Sequence, residues 1–213
     1  MLVDCGASSL IALKRAGIDP SGVDAVLLTH LHGDHFGGLP FLVLDGQFSR
    51  RTRPLQIAGP AGVRERVSAA MEVFFPGSST VERRFALDFV EFEERVPRAV
   101  GPVVVTPYPV VHASGATPFA LRVAWDGKVV TYSGDTEWTE TLVEAARGAD
   151  VFVCEAYTFD KRVKFHLDFS TLREHRTRLD CRRVILTHMS ADMLSRPREP
   201  GFEYAADGLS VSV

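Results

Sequence analysis

Residues 27–40, which read LLTHLHGDHFGGLP, place three histidines and one aspartate within six positions, just after an apolar run and just before two glycines. An apolar run that ends in polar side chains and glycines is typical of a buried strand followed by a tight loop. A loop held by a rigid strand can bring several titratable groups together without ordering a long segment. The chain must therefore contain a strand whose end carries His30, His32, Asp34 and His35.

Strand and helix patterns alternate along the rest of the chain, which favours an α/β protein with helices that cover the sheets. Asp126 and Gly127 separate two β-rich runs and predict a type I′ hairpin, so the sheet is expected to be mixed. Helices are predicted over residues 8–17, 39–49, 61–75, 139–148 and 170–180, the last with a Ser170 or Thr171 cap. Further strands are predicted over residues 24–30, 54–59, 89–94, 101–112, 149–156 and 182–188, with an edge strand over 208–213.

Composition narrows the class of protein. The chain has 213 residues, 46% of them hydrophobic, and is expected to form a single domain over residues 1–213. A net charge of −3 gives no overall basic footprint for nucleic acid. Three widely spaced cysteines do not suggest a disulfide framework. With no apolar run of about 18 residues, we expect a cytoplasmic protein that does not associate with membranes.

Three more candidate metal donors each follow a separate predicted strand, namely His112, Asp135 and His188. The VILTH sequence that ends at His188 repeats the LLTH sequence that ends at His30. Each residue alone is more simply explained as a satisfied polar group at a strand end. Together with the first loop they predict a metal site, because imidazole and carboxylate groups are the donors that such a site needs.

The motifs His30-x-His32-x-Asp34-His35, His112, Ser133-Gly134-Asp135-Thr136 and Thr187-His188 resemble those of the metallo-β-lactamase-fold hydrolases, and most of all the ribonuclease Z branch. The resemblance implies a four-layer αβ/βα sandwich with metals at one edge of the two sheets. The first predicted strand begins at Met1, so the N-terminal strands are expected to be shortened.

The resemblance also implies two divalent metal ions and a metal-bridging hydroxide as the nucleophile. One metal would be held by His30, His32 and His112, the second by Asp34, His35 and His188, and Asp135 would bridge them. Asp4 would orient a ligand histidine, and Asp34 would also contact the attacking water. Zn²⁺ is the expected metal because it binds such donors more tightly than Mn²⁺ or Fe²⁺, both of which also fit.

Two features suggest how a leaving group would be protonated. In the ribonuclease Z branch, a glutamate pairs with a histidine placed to protonate the leaving oxygen. The sequence matches this with Glu155 and with His166, although Cys154 replaces a family histidine and the spacing after His166 is longer. A carboxylate partner would keep the imidazole charged and oriented. The other interpretation of His166 is a surface residue that caps the next helix, and His175 is interpreted as a solvated residue.

The expected activity is that of a phosphodiesterase on a small or nucleotide-like substrate. The alternatives are a lactonase or thioesterase with the same metals, and a non-catalytic partner module. A tRNA substrate is not expected, because residues 36–111 read as compact structure without a long glycine- and proline-rich arm. Two basic clusters, Arg50/Arg51/Arg53 and Lys161/Arg162/Lys164, suit either phosphate contact or a solvated face. A homodimer is expected if the short first strand leaves an open sheet edge; otherwise the tail would cover that edge.

An apolar pocket beside the metals is a further hypothesis. Its candidate side chains are Phe36, Leu39, Phe41, Phe74, Phe75 and Tyr157. At helical spacing most of these residues are more simply explained as core.

Overall fold

The computed structural model describes all residues, Met1–Val213, and the chain divides into two compact units. The first unit comprises Met1–Phe92 and Ser114–Ala116, and the second comprises Glu93–Ala113 and Thr117–Val213. Each unit has its own sheet and its own hydrophobic core. No helix is both long and apolar enough to cross a bilayer. The single-domain organisation stays a prediction.

The first unit is built on a four-stranded parallel sheet in the order β1-β2-β3-β4. The strands are β1 (Leu2–Val3), β2 (Ala25–Leu27), β3 (Leu55–Gly59) and β4 (Leu87–Glu91). The helices are α1 (Ser9–Arg15), α2 (Gly33–Phe36), α3 (Leu39–Phe48) and α4 (Val63–Phe74), with a 3-10 turn at Pro20–Gly22. All three residues of β2 are buried, which explains their continuous apolar sequence.

The second unit is built on a seven-stranded mixed sheet in the order β11-β10-β9-β8-β7-β6-β5. The strands are β5 (Arg98–Val100), β6 (Val103–Pro109), β7 (Phe119–Trp125), β8 (Lys128–Tyr132), β9 (Ala149–Glu155), β10 (Cys181–Thr187) and β11 (Glu203–Tyr204). The helices are α5 (Glu140–Ala146), α6 (Phe169–His175) and α7 (Ala191–Leu194), with a 3-10 turn at Arg176–Arg178. Strands β5 to β8 pair antiparallel and β8 to β11 pair parallel.

The predicted hairpin is confirmed. Trp125 pairs with Lys128 in the antiparallel register of β7 and β8. Asp126 and Gly127 both have positive φ, at 46° and 74°, as a type I′ turn requires. The prediction of a mixed sheet is therefore confirmed as well.

The parallel part of this sheet brings the ends of three strands to one edge. Thr187 at the end of β10 lies beside Glu155 at the end of β9. Tyr132 at the end of β8 lies beside Val153 of β9. Side chains that follow these strands therefore meet at the carboxyl edge of the sheet, where ligands bind in open α/β sheets.

Two local predictions are wrong. Residues 208–213 form no strand; the edge strand is β11, which pairs in parallel with β10. Strand β1 lies at an edge of the four-stranded sheet, and the covering of that edge by the tail or by a second copy stays a prediction. Helix α6 is capped by Asp168, whose carboxylate accepts from Thr171 N at 2.9 Å, rather than by Ser170 or Thr171.

Candidate metal centre

The first unit positions four predicted donors between β2 and α3, in a loop that contains the short helix α2. His30 is fully buried and His35 is nearly so, whereas the Asp34 side chain is 66% exposed. His32 has extended backbone geometry and immediately precedes α2. The three imidazole rings crowd together, with the ring centre of His30 3.9 Å from that of His35 and 4.9 Å from that of His32.

Two glycines allow this loop to pack against the end of β1. A Cβ atom on Gly6 would lie 2.1 Å from the Asp34 carbonyl oxygen. A Cβ atom on Gly38 would lie 2.1 Å from the Gly6 carbonyl oxygen. Neither Gly6 nor Gly38 can accept a side chain without moving the backbone, so both glycines are required for this close packing.

Asp4 organises the histidines of this loop. Its carboxylate accepts from Thr29 N at 2.8 Å, from Thr29 Oγ1 at 3.0 Å and from His35 Nδ1 at 2.7 Å. Thr29 Oγ1 also lies 3.0 Å from His30 Nδ1. With Nδ1 engaged in both rings, Nε2 is the nitrogen that each histidine can present to a metal. Asp4 thus has the predicted contact with a candidate ligand histidine, whereas no pattern in the sequence singles out Thr29.

The second unit gathers predicted residues at the carboxyl edge of its sheet. His188 Nδ1 lies 3.1 Å from Asp135 Oδ1, and His112 Nε2 lies 4.0 Å from Asp135 Oδ2. His112 Nδ1 donates to the Phe165 carbonyl oxygen at 2.9 Å. Side-chain oxygens and nitrogens of Asp135, Glu155, His166 and His188 all lie within 4.8 Å of one another. His166 and Glu155, predicted as catalytic, therefore sit directly beside two predicted metal ligands.

Glu155 is fully buried at the end of β9 and accepts four hydrogen bonds. Oε2 accepts from Thr136 N at 2.9 Å and from Leu167 N at 3.1 Å. Oε1 accepts from His166 Nδ1 at 2.5 Å and from His188 Nδ1 at 2.9 Å. A buried carboxylate is tolerated when all its lone pairs are engaged in this way.

These contacts change the pKa values of both His166 and His188. The hydrogen bond to Glu155 raises the pKa of His166, against the opposing effect of its burial. Burial would lower the pKa of His188, but the hydrogen bonds with Asp135 and Glu155 outweigh it and raise the pKa to about 10. Since a protonated imidazole cannot coordinate a cation, metal binding at His188 would release this proton.

The chemistry of the donor set fits divalent metal ions. Every donor is an imidazole nitrogen or a carboxylate oxygen, with no thiolate among them. The Nδ1 atoms of His30, His35 and His112 are held by a hydroxyl, a carboxylate and a backbone carbonyl. Such outer hydrogen bonds are the usual means by which proteins fix the ring and the tautomer of ligand histidines.

In the first predicted basic cluster, Arg51 is withdrawn from solvent, whereas Arg50 and Arg53 are exposed. Arg51 is only 4% exposed, and its guanidinium donates to four carbonyl oxygens, those of Pro20, Val23, Arg53 and Pro54. Arg53 pairs with Asp24 at 2.6 Å. Arg51 therefore braces a turn of the first unit. Lys161, Arg162 and Lys164 of the other cluster are exposed.

The side chains predicted to line an apolar pocket differ in their exposure and in the unit to which they belong. Phe36 and Leu39 are buried in the core of the first unit. Phe41, Phe74 and Phe75 of that unit form a ring cluster, in which Phe41 and Phe74 are partly exposed. Tyr157 of the second unit lies 4.7 Å from His166, centre to centre.

The interpretation of His175 as a solvated residue without a partner is only partly correct, because the side chain is half-buried. Its ring stacks on Trp138 with centres 4.1 Å apart and planes within 14°. The sequence pattern missed this contact because Trp138 lies far away along the chain, before α5.

Comparisons with known proteins agree with this geometry. A family model described as "Beta-lactamase superfamily domain" matches residues 1–189. Ribonuclease Z of Agathobacter rectalis is 28% identical over an alignment of 246 positions, which covers 91% of this chain and 79% of the relative.

Solved structures share the fold. The short form of human tRNase Z has a TM-score of 0.77 at 22% identity, over 99% of this chain and 86% of the other. A diphosphatase from the PhnP family has a TM-score of 0.77 at 20% identity, over 100% of this chain and 79% of the other. The predicted resemblance and fold class are confirmed.

Proposed function

Because the chain belongs to the β-lactamase superfamily, we propose that it is a dinuclear-metal phosphodiesterase that acts on a small or nucleotide-like substrate. The prediction of a hydrolase of this superfamily agrees with the family match and with the ribonuclease Z relatives. The phosphodiesterase activity, the number of metals and the substrate are the proposal.

We propose seven metal ligands, on the resemblance and on the chemistry of the donors. His30, His32 and His112 hold one cation, Asp34, His35 and His188 hold the other, and Asp135 is shared. Two bound divalent cations would lower the pKa of water and stabilise charge that develops on the attacked phosphate. Zn²⁺ is the metal we favour, since it outcompetes Mn²⁺ and Fe²⁺ for such donors.

The observation that carries the phosphodiesterase proposal is the hydrogen bond of 2.5 Å between Glu155 and His166. Glu155 engages Nδ1, so Nε2 is the atom of His166 that can give a proton to the leaving oxygen. The hydrogen bond to Glu155 raises the pKa of His166, which favours the protonated imidazole that a general acid requires. A carbonyl hydrolase with the same metals would not need this pair. Asp34 is proposed to orient the attacking water.

A cavity of about 370 Å³ beside His166 supports a small substrate. Its lining includes Arg162, Lys164 and Thr171, which can contact an anionic ligand. The volume lies within the range of pockets for small molecules, about 300–1,000 Å³. The size of this cavity suits a small phosphodiester, and within a lining that also carries the acidic residues Glu137 and Asp168, Arg162 and Lys164 are the groups that would contact its phosphate.

Two observations argue against tRNA as the substrate. An alignment of 246 positions covers only 91% of this 213-residue chain, so the ribonuclease Z relative contains segments that have no counterpart here. Arg51 of the first basic cluster is buried and engaged in structural hydrogen bonds, which withdraws one of the three arginines of that cluster from contact with RNA. A cytoplasmic location and a homodimer stay predictions.

The test compares hydrolysis of a chromogenic phosphodiester, a lactone and a thioester by the zinc- and manganese-loaded protein. We expect phosphodiester turnover that falls by about two to four orders of magnitude in His166→Ala, at unchanged metal content. Glu155→Gln should lose nearly as much, and the double variant little more, because the two residues act as one unit. Glu174→Gln, the same exchange at an exposed position of α6, is the matched control.

Two results would contradict the proposed activity or the proposed role of His166. Carbonyl turnover that survives His166→Ala would identify a lactonase or thioesterase instead. Loss of metal from His166→Ala would show that His166 is a ligand, which its closeness to Asp135 and His188 allows.

A further inference from the structure

Phe165 has a backbone conformation that bulky residues rarely adopt. Its φ is +70°, in the left-handed region that favours glycine. Such a conformation costs free energy and persists only where the surroundings hold it. The contacts of the Phe165 peptide therefore indicate which interactions hold this conformation.

Both polar groups of Phe165 are held by side chains from other segments. Its N–H donates to Glu137 Oε1 at 2.6 Å. Its carbonyl oxygen accepts from His112 Nδ1 at 2.9 Å. The segment thus links a carboxylate on one side to a candidate metal ligand on the other.

The backbone of Glu137 is held by two hydrogen bonds. Its backbone N–H donates to the Val111 carbonyl oxygen at 3.1 Å, directly before His112. Its backbone oxygen accepts from Thr136 Oγ1 at 2.6 Å, and Thr136 follows the candidate ligand Asp135. The Glu137 carboxylate therefore has a defined position relative to both candidate ligands of this unit.

The same segment also positions His166, the next residue in the chain. His166 N donates to the Val163 carbonyl oxygen at 3.1 Å, which closes a tight turn. The rings of His112 and His166 lie 5.1 Å apart, centre to centre, at 73°. A shift of the Phe165 peptide would consequently move a candidate ligand and the candidate general acid together.

We propose that Glu137 is a positioning residue that, through the Phe165 peptide, fixes the ring of His112 for metal binding and the approach of His166 to the substrate. Glu137 does not touch the reacting atoms in this account. The proposal rests on the proposed function for the roles of His112 and His166, and no family motif predicted in the sequence includes Glu137 or Phe165.

The experiment measures the exchange of the His112 Nδ1 proton by ¹H–¹⁵N NMR of the zinc-loaded protein, beside zinc affinity by chelator competition. In Glu137→Ala we expect faster exchange of that proton and a zinc affinity lower by roughly 10-fold or more, as for other groups that orient ligands. Glu137→Gln should stay near wild type, because its amide oxygen still accepts the Phe165 N–H. Glu174→Ala is the matched exposed control.

A second pair of variants isolates the backbone conformation. Phe165→Gly and Phe165→Ala both lack the ring, but only glycine adopts positive φ without strain. We expect Phe165→Gly to keep the slow His112 proton and the zinc affinity better than Phe165→Ala. This pair decides the matter even if Glu137→Ala fails to fold.

Wild-type behaviour of the His112 proton and of zinc affinity in Glu137→Ala would overturn the proposal. So would a Phe165→Ala protein that equals or exceeds Phe165→Gly. Neither readout requires a substrate, so a wild-type protein that hydrolyses no phosphodiester would defeat the proposed function while leaving this linkage to stand or fall separately.

Discussion

The two units each use one carboxylate to orient histidines, but with different numbers of contacts. In the first unit, Asp4 accepts from three donors, and one of them belongs to a histidine. In the second, Glu155 accepts from four donors, and two of them belong to histidines. The Asp4 side chain is 10% exposed and that of Glu155 is fully buried. We therefore expect the stability of the protein to depend more strongly on Glu155 of the second unit than on Asp4 of the first.

The largest effect on stability is expected for Glu155→Gln. An amide has one acceptor oxygen in place of two, so at least one buried donor loses its acceptor, at about 1–3 kcal/mol for each group. We expect the free energy of unfolding to fall by about 3 kcal/mol, measured by urea titration with far-UV circular dichroism. If Glu155→Gln lowers the free energy of unfolding no more than the exposed control Glu174→Gln does, within experimental error, these hydrogen bonds add little to stability.

Asp4→Asn is the matched change in the first unit, with a smaller expected cost. One asparagine oxygen can still accept from Thr29 N, and partial exposure lets water replace the other contacts, so we expect about 1–2 kcal/mol. Zinc affinity should also fall, by about 10-fold or more, because His35 loses its orienting partner. If Asp4→Asn costs as much stability as Glu155→Gln, the difference between the units does not depend on the number of donors.

The helix caps allow a finer comparison. Asp168 caps α6 through Thr171 N at 2.9 Å and Thr171 Oγ1 at 2.7 Å and is itself buried. Its replacement by Ala should lower the free energy of unfolding by about 1 kcal/mol or more. Asp19→Ala, which removes a cap only from the exposed 3-10 turn of the first unit, should cost less. Equal losses in thermal melts of the two variants would contradict this order.

The smallest effect concerns the free cysteines. Burial raises the pKa of the Cys5 thiol to about 12, and it also raises the pKa values of Cys154 and Cys181. Thiolate is the reactive form, so all three should react slowly in the native protein. Cys181 alone is partly exposed and should react first with a maleimide, as mass spectrometry of timed samples would show. Earlier labelling of Cys5 in the first unit would mean that this unit opens more readily than the second.

The difference between the units also explains what the sequence could predict. The four donors of the first unit lie within six residues, so a single loop carried the whole pattern. The donors of the second unit are far apart along the chain. They were found because each follows a strand, and parallel strand ends meet at one edge. The pairing of Glu155 with His166 was expected from the resemblance and is present in the structure at 2.5 Å.

What the sequence could not predict depends on backbone groups and on long-range burial. The partner of His112 is a carbonyl oxygen, which any residue carries, and it lies 53 positions away. Arg51 is buried by four carbonyl contacts that no charge pattern reveals. The alternating apolar residues of the C-terminal segment resemble a strand, but the edge position of the sheet is occupied by β11.

In the proposed function, the Glu155–His166 pair gives a proton to the leaving oxygen of a phosphodiester. The most direct test compares turnover by wild type and by His166→Ala for two phosphodiesters, one with a nitrophenyl and one with an alkyl leaving group. An alkoxide needs protonation far more than a nitrophenolate does, so the account predicts a much larger loss for the alkyl substrate. Equal losses for both substrates, or no loss for either, would contradict it.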